Sequence, residues 1–506
     1  MKKTGKVLLA ALAAYVTLVL LLLAAESKNP DASIHSLGDA LWFSLVTMTT
    51  VGYGDLTPTT PLGRLLGLVF ALCSVGILAA LVALVLRMIS GELLPLLRLR
   101  LNRGTTWYVF ADGNEAAHAL ADALRQQEQD ALLIFPADIQ DAPGRSICLD
   151  GSCERLARLH GGRDGIVFFY LDTNLWGNRV RALKTARQGY PSYCMAELPA
   201  DETPETLHFF DPAEAVARRY WQKRPLGEKE NCVVFIGSGR TAEALLERAL
   251  LINVFPAERR IQYHCFSFGE DFTRIHRELV SSLASGEDTD RLIFHSGFFG
   301  TERELLHRAD RVILCDDMDS ENLRVYEVLR NFFVCPGPIH LRLRTPLEGL
   351  CSFGSLTDTF RPEAVMHDEL DRRAMLLNEI YNESAMHKRN WRELGPFLRA
   401  SNIAAADHIE TKLRILLGED APEDPGERCR LAYARFEATD GEARERLREI
   451  EHRRWLRFYR FYNWRYAPIR DDNARVHPNL IPYEALSEEA RQKDDYAWQM
   501  LGRLSK

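Results

Sequence analysis

No two cysteines stand at the CxxC spacing of a metal knuckle or a thiol redox site; the ten present are scattered from Cys73 to Cys429. Metal-ligand spacing is therefore missing, and no metal site built from side chains is expected. Several cysteines sit inside apolar runs, where a reduced thiol behaves as a small hydrophobe, which suits a reducing compartment. Excess positive charge is missing too. With a formal net charge of -7 the chain repels a polyanion, so nucleic acid is not an expected partner. No nucleophile, proton donor or metal cluster can be placed together as an active site, and an enzyme is not expected. The most informative absence is local: Val7 to Ala25 carries no charge, and neither does Leu65 to Leu86.

Each uncharged run is long enough to cross a hydrocarbon core of roughly 30 Å at about 1.5 Å per helical residue. Lys2, Lys3 and Lys6 precede the first run and Leu23-Ala24-Ala25 ends it, a pattern that a secretory signal shares. The run is longer than a usual signal core, which favours a membrane helix. Arg87, Arg98, Arg100 and Arg103 follow the second run. Positive charge at both outer ends places both termini in the cytoplasm, with the Glu26, Asp31 and Asp39 segment outside. The expected location is a bacterial inner (plasma) membrane. No arginine-rich helix precedes the pair, so no voltage sensor is expected.

Between the runs stands Leu41-Trp42-Phe43-Ser44-Leu45-Val46-Thr47-Met48-Thr49-Thr50-Val51-Gly52-Tyr53-Gly54-Asp55. Its first part reads as a short helix. From Thr50 onward, glycines alternate with larger residues, and glycine permits backbone angles that turn successive carbonyls one way. Four such segments around an axis make rings of oxygens that replace the water shell of K+. Irregular backbone at membrane depth is tolerated only where protein buries it or it lines a wet cavity.

Thr50-Val51-Gly52-Tyr53-Gly54-Asp55 resembles the potassium-channel selectivity filter residue for residue. Over roughly residues 7 to 90 the chain is similar to two-transmembrane potassium channels. The resemblance implies a homotetramer in a lipid bilayer, with Trp42 and Phe43 bracing the filter through Tyr53, and Asp55 behind it. Val46 departs from relatives that carry a carboxylate there, which should alter filter inactivation more than selectivity. Gly76 is the expected gate hinge, although many relatives bend two residues earlier, where Ser74 stands here.

After Pro95 the pattern changes to alternating strand and helix. Strands are expected at Trp107 to Phe110, Ala131 to Phe135, Gly165 to Leu171 and Ser192 to Glu197. The series restarts at Cys232 to Ile236 and continues at Ile261 to Phe268, Arg291 to Phe294, Arg311 to Cys315 and Pro338 to Leu343. Two such series predict two tandem Rossmann-like α/β lobes. The second has Gly237-Ser238-Gly239-Arg240-Thr241-Ala242 after its first strand, close to the dinucleotide fingerprint. Phosphate on these amides, with Glu270 or Asp271 accepting from ribose, is one reading; a tight turn for helix–sheet packing is the other. The first lobe keeps only Gly113, with Asp112 where phosphate would approach, and reads as architectural. A pore followed by two such lobes resembles the RCK-gated potassium channels, as does the acidic turn Asp316-Asp317-Met318-Asp319 with Asn322. That likeness implies a ring of eight lobes, two from each of four chains.

From Pro362 onward long amphipathic helical stretches dominate. Glu451-His452-Arg453-Arg454-Trp455, Asn463-Trp464-Arg465-Tyr466, His477-Pro478-Asn479-Leu480-Ile481-Pro482-Tyr483 and Lys493-Asp494-Asp495 follow in that order. The order resembles the ryanodine-receptor-type (RyR) repeat domain. Aromatics interleaved with arginine either stack a base and hold its phosphates or build a small helical core. The expected ligand pocket contains Trp455, Trp464, Arg465, His477 and Tyr483.

The expected fold class is multi-domain. An α-helical two-transmembrane ion-channel pore (residues 1–104) precedes two Rossmann-like lobes (105–228 and 229–361) and an α-helical RyR-type domain (362–506). The expected function is a potassium-selective channel gated by a small anionic ligand, NAD or another nucleotide. The alternative is a membrane-anchored nucleotide-binding sensor or NAD-dependent oxidoreductase whose pore does not conduct.

Overall fold

The computed structural model describes residues 2–72, 82, 94–102, 104–139, 142–143, 146–149, 153–162, 164–196, 204–384, 388–418 and 421–504. The chain divides into two compact units, residues 1–103 with 148–150, and the remainder.

The first unit is helical: Lys2–Glu26, Leu37–Met48, residues 61–72 and Leu94–Leu101. Ser36 starts the second helix because its hydroxyl accepts the Asp39 amide while the Asp39 carboxylate accepts the Ser36 amide, a reciprocal cap. Val19, Leu22, Ile34, Ala40, Leu66 and Phe70 form the core of this unit. Glu26, at the end of the first helix, is buried and accepts the amides of Thr59 and Thr60, each at 2.9 Å. Gly63 admits it: a Cβ there would lie 1.9 Å from Glu26 Oε1. Outside the core the surface is apolar, with Val16, Leu20, Leu21, Leu65, Leu68 and Leu72 exposed. A surface like this needs lipid or another protein against it. Among the described residues no helix is long and apolar enough to cross a membrane. The side chains of residues 2–12 are not described, and most of the second uncharged run, with Gly76, lies outside the described residues.

The second unit contains two six-stranded sheets. The first joins β1 (Trp107–Phe110), β2 (Leu132–Phe135), β3 (Ile147–Cys148), β4 (Ile166–Tyr170), β5 (Ser192–Met195) and β6 (Leu207–Phe210) in the order β3-β2-β1-β4-β5-β6. The second joins β7 (Cys232–Ile236), β8 (Gln262–Phe266), β9 (Arg291–His295), β10 (Arg311–Leu314), β11 (Ile339–Arg342) and β12 (Ser352–Phe353) in the order β12-β11-β10-β7-β8-β9. Counted within each half, both orders are 3-2-1-4-5-6, that of the doubly wound dinucleotide fold. The central strands β1, β7 and β10 are buried along their whole length, as strands covered by helices on both faces must be. Registers such as Val312 with Val234 and Val109 with Phe168 keep these apolar rows aligned. Strands β3, β6 and β12, for which the sequence raised no expectation, are short and lie toward the sheet edges.

Among the described residues of the remaining chain, helices dominate and the strands are β13 (Arg465–Tyr466) and β14 (Val476–His477), two residues each. Its longest helix, Gly441–Phe461, lies against the second sheet's layers. Phe458, Phe461 and Trp464 share one apolar core with Phe235 and Leu245. Arg457, 1% exposed, donates to Asp288 through Nε at 2.6 Å and to Asp290 at 2.7 Å. His276 Nδ1 meets the Phe461 carbonyl at 2.8 Å. The helical region and the second lobe are thus one packed body.

Candidate functional site

The segment following helix Leu37–Met48 cannot continue as helix, and its backbone shows why. Thr50, Gly52 and Gly54 have φ of 60, 57 and 75°, while Val51 and Tyr53 between them do not enter the positive region. Alternating hand at successive residues sends successive peptide groups the same way. Thr50 is the one member without glycine's freedom, and a non-glycine residue at positive φ costs about 1 kcal/mol, a strain found at functional segments. The turn into this segment is held by the Val46 carbonyl, which accepts the amides of Val51 at 3.0 Å and Gly52 at 3.2 Å.

Trp42 braces the far side. Its ring stacks on Tyr53, centroids 6.2 Å apart and planes 7° apart, and its Nε1–H donates to Asp55 Oδ2 at 2.9 Å. Phe43 packs edge-on to Phe70 and against Gly67 instead. Val46 is buried and leaves Asp55 to Trp42. Val51 and Tyr53 are exposed, Tyr53 at 69%.

The glycine run of the second lobe has a different occupant. Gly237 (φ 148°) and Gly239 (φ 95°) let the turn after β10 close over them: a Cβ would lie 2.3 Å from the Asp316 amide nitrogen and 2.1 Å from Asp317 Oδ2, respectively. Asp317 accepts the amides of Arg240 at 2.9 Å and Thr241 at 3.3 Å, and Asp316 accepts those of Ser238 at 3.0 Å and, two residues on, Met318 at 2.9 Å. Helix N-terminal amides are where a phosphate would sit. Here the chain's own carboxylate occupies them. Glu270 and Asp271 begin the short helix after β8; both are exposed and pair with Arg274.

The first lobe repeats the bracing. Asp112 takes both guanidinium nitrogens of Arg181 at 2.9 and 3.0 Å and the Leu171 amide at 3.3 Å. Asn178 bonds the Asp172 carbonyl at 2.6 Å and the Met195 carbonyl at 3.1 Å; Asn322 does the same with Asp316 and Arg342, at 2.8 Å each. One asparagine per lobe ties the turn after the fourth strand to the end of the fifth.

The helical region encloses a cavity of about 560 Å³. Of the five residues expected to form a pocket there, Trp455 and His477 line it. Trp464 instead stacks on Phe397 in the core at 5.3 Å, Arg465 is exposed on β13, and Tyr483 donates to Glu445 at 2.7 Å. Trp455 is held by Tyr459, centroids 4.2 Å apart, and by His477, edge-on at 5.0 Å. The floor is charged. Arg454 donates to Glu451 Oε1 through Nε at 2.9 Å and Nη2 at 2.6 Å, and Lys412 Nζ lies 2.8 Å from Glu451 Oε2. Burial opposes the charge of Glu451, but Arg454 and then Lys412 outweigh it and hold the carboxyl below its ordinary range. Asp494 goes the other way: burial, then the charge of Glu451, push it up to about 8. Arg454, Glu451 and Asp494 were visible in the sequence only as parts of a motif, and Tyr459 only as one of the aromatics between arginines; their convergence depends on how the helix ends meet.

Residues 7–91 match the family model Ion_trans_2, described as ion channel. A stretch of 63 residues is 44% identical to the voltage-gated potassium channel of Aeropyrum pernix, covering 12% of this chain and 21% of that protein. Another of 51 residues is 47% identical to potassium voltage-gated channel subfamily A member 10 of Mus musculus, covering 10% of each. The chain thus spans a small part of the length of these curated relatives. Among solved structures, the GsuK channel bound to NAD aligns over 75% of this chain and 86% of its own, at 12% identity and a TM-score of 0.33. GsuK bound to ADP aligns over 81% and 98%, at 13% identity and 0.31. Neither likeness reaches the level from which a shared arrangement follows.

Proposed function

We propose that this chain is one subunit of a homotetrameric, potassium-selective membrane channel whose opening is set by its large C-terminal region. The observation that carries the reading is the alternating backbone of Thr50 to Gly54, braced by Trp42 through Tyr53 and Asp55. Such a backbone presents a row of carbonyls, and fourfold repetition turns the row into rings that coordinate a dehydrated cation. Thr50, Val51, Gly52, Tyr53 and Gly54 line the path in this reading, Trp42 and Asp55 hold its width, Phe43 packs behind the short helix on Phe70, and Gly76 is the hinge. The matched family consists of ion channels, and the exposed apolar helices suit a bilayer. In the full reading that bilayer is a bacterial inner membrane and both termini are cytoplasmic.

The two lobes form the gating body, with the RyR-type helical region fused to the second. A small ligand shifts the gate only through unequal affinity for its open and closed arrangements. A nucleotide is the class proposed, because aromatic walls and buried cations converge in the helical region. The test is the native mass of the purified full-length protein together with cation efflux from liposomes containing it. A tetramer that releases potassium supports the reading; a monomer, or liposomes that stay sealed, would sink it.

A further inference from the structure

We propose that the cavity walled by Trp455, Tyr459 and His477 is the nucleotide site, the base edge meeting Asp494 and Arg454 and the phosphates meeting Arg470 and Lys493 at its mouth. The inference deepens the proposed ligand gating and rests on that reading for its consequence at the pore, not for the binding itself.

Three independent features point to a ligand. The volume, about 560 Å³, is that of a site for a molecule of mononucleotide size, whereas protein interiors otherwise pack closely. The aromatic wall is set in advance, since Tyr459 and His477 both touch Trp455 and the Asn479 amide donates to His477 Nδ1 at 3.0 Å. A flat, fixed wall takes a stacked base without ordering cost. The floor holds polar atoms left over. Arg454 is 5% exposed, yet its Nη1 has no hydrogen-bond partner among the described residues, and Asp494 Oδ2 has none either. Buried polar groups are normally paired, and an unpaired donor and acceptor lining one cavity call for a ligand that presents both. Every nucleobase edge carries a donor beside an acceptor. A neutral Asp494 carboxyl fits adenine, donating to the ring nitrogen and accepting from the amine; an ionised one fits guanine, accepting twice.

The mouth supplies the remaining charge. Arg470 and Lys493 line it, each paired with a surface carboxylate, Asp472 at 2.6 Å and Glu489 at 3.3 Å. Surface pairs of this kind are weak and exchange readily for a phosphate. The rival site, the glycine run, is filled by Asp317. Trp455 also shares its helix with Arg457, which is locked to Asp288 and Asp290 of the second lobe, so an occupied cavity bears on the sheet body through a rigid element.

The experiment is calorimetric titration of the full-length protein in detergent with ADP, GDP and NAD, and with pyrophosphate as a control for phosphate alone. Binding of at least one nucleotide is expected, weakened about tenfold or more by Trp455→Ala and by Asp494→Ala, and changed less than about twofold by Asp317→Asn. Thermal melts of the same samples show whether each variant is folded, and His477→Gln, at the cavity rim, carries the test if Asp494→Ala is not. Failure of every nucleotide to bind, equal binding of pyrophosphate, or loss in Asp317→Asn with the cavity variants unaffected would overturn the proposal. Potassium efflux from nucleotide-free liposomes, read on the same preparations, reports on the channel reading separately.

Discussion

The carboxylate of Asp317 lies 2.9 Å from the amide nitrogen of Arg240, at the start of the helix that opens the second lobe. It also fills the space above Gly239, where a side chain would collide with it. This places a fixed negative charge on the positive end of a helix, the position that a bound phosphate takes in dinucleotide-binding folds. The glycines are therefore explained by the closeness of this turn, whatever else the lobe does.

Replacing Asp317 with alanine removes the acceptor for the Arg240 and Thr241 amides. A loss of about 1–2 kcal/mol is expected, as for other helix-start acceptors, seen as a lower urea midpoint for the full-length protein. Gly239→Ala should cost more, because it adds strain at φ 95° to the clash. Equal stability of all three proteins would remove the account of this turn.

Arg457 offers a larger effect. Its guanidinium is buried with Asp288 and Asp290, and its charge holds Asp288 at about 2 against the pull of burial. Arg457→Met leaves the buried Asp290 without its ion pair and Asp288 with only the longer one to Arg453 at 3.6 Å, at a cost of about 3–5 kcal/mol. Chemical unfolding should show this as early separation of the helical region from the second lobe. A variant as stable as the parent would mean that the two do not share a core.

Asp494 gives a pH dependence whose sign is fixed. Its carboxyl faces Glu451, Arg454, Lys412, His452 and Asp495 and is pushed up to about 8, from an ordinary value of about 4. The folded chain binds this proton more tightly than the unfolded one, so stability falls as pH rises from about 4 to about 8 and levels off above. Asp494→Asn removes this contribution. The melting temperature of the parent relative to the variant should therefore decline between pH 5 and pH 8 (roughly the titration window). A constant difference would place the carboxyl in an ordinary, ionised state.

How far the sequence reveals this architecture depends on whether a signal is contiguous. The Thr50–Gly54 segment and the buried strands β1, β7 and β10 are unbroken in the chain, and their spacing carries the expectation directly. Strands β3 and β12 hold two residues each, too few for any period to show. The cavity is harder still. Trp455 and Trp464 belong to one aromatic stretch, yet one faces the cavity and the other packs on Phe397, because the helix ends at Phe461 and the chain turns through Asn463 at φ 59°. The closure of Asp317 over Gly239 joins positions far apart in the chain, and the acidic turn alone does not reveal it.

In the proposed filter, Trp42→Phe keeps a ring against Tyr53 but deletes the bond to Asp55, a hydrogen bond of about 0.5–1.5 kcal/mol per chain. Conduction should become shorter-lived while preference for potassium is retained, as bilayer recordings would show. Loss of selectivity with unaltered lifetime would mean that Trp42 acts on the carbonyl rings themselves.

The central claim is most directly tested by the reversal potential of the full-length protein in a planar bilayer, with potassium on one side and sodium on the other. The account predicts a current carried by potassium alone, which disappears when Gly52→Ala disturbs the alternating backbone. A reversal potential near zero, with sodium passing as freely, would contradict it.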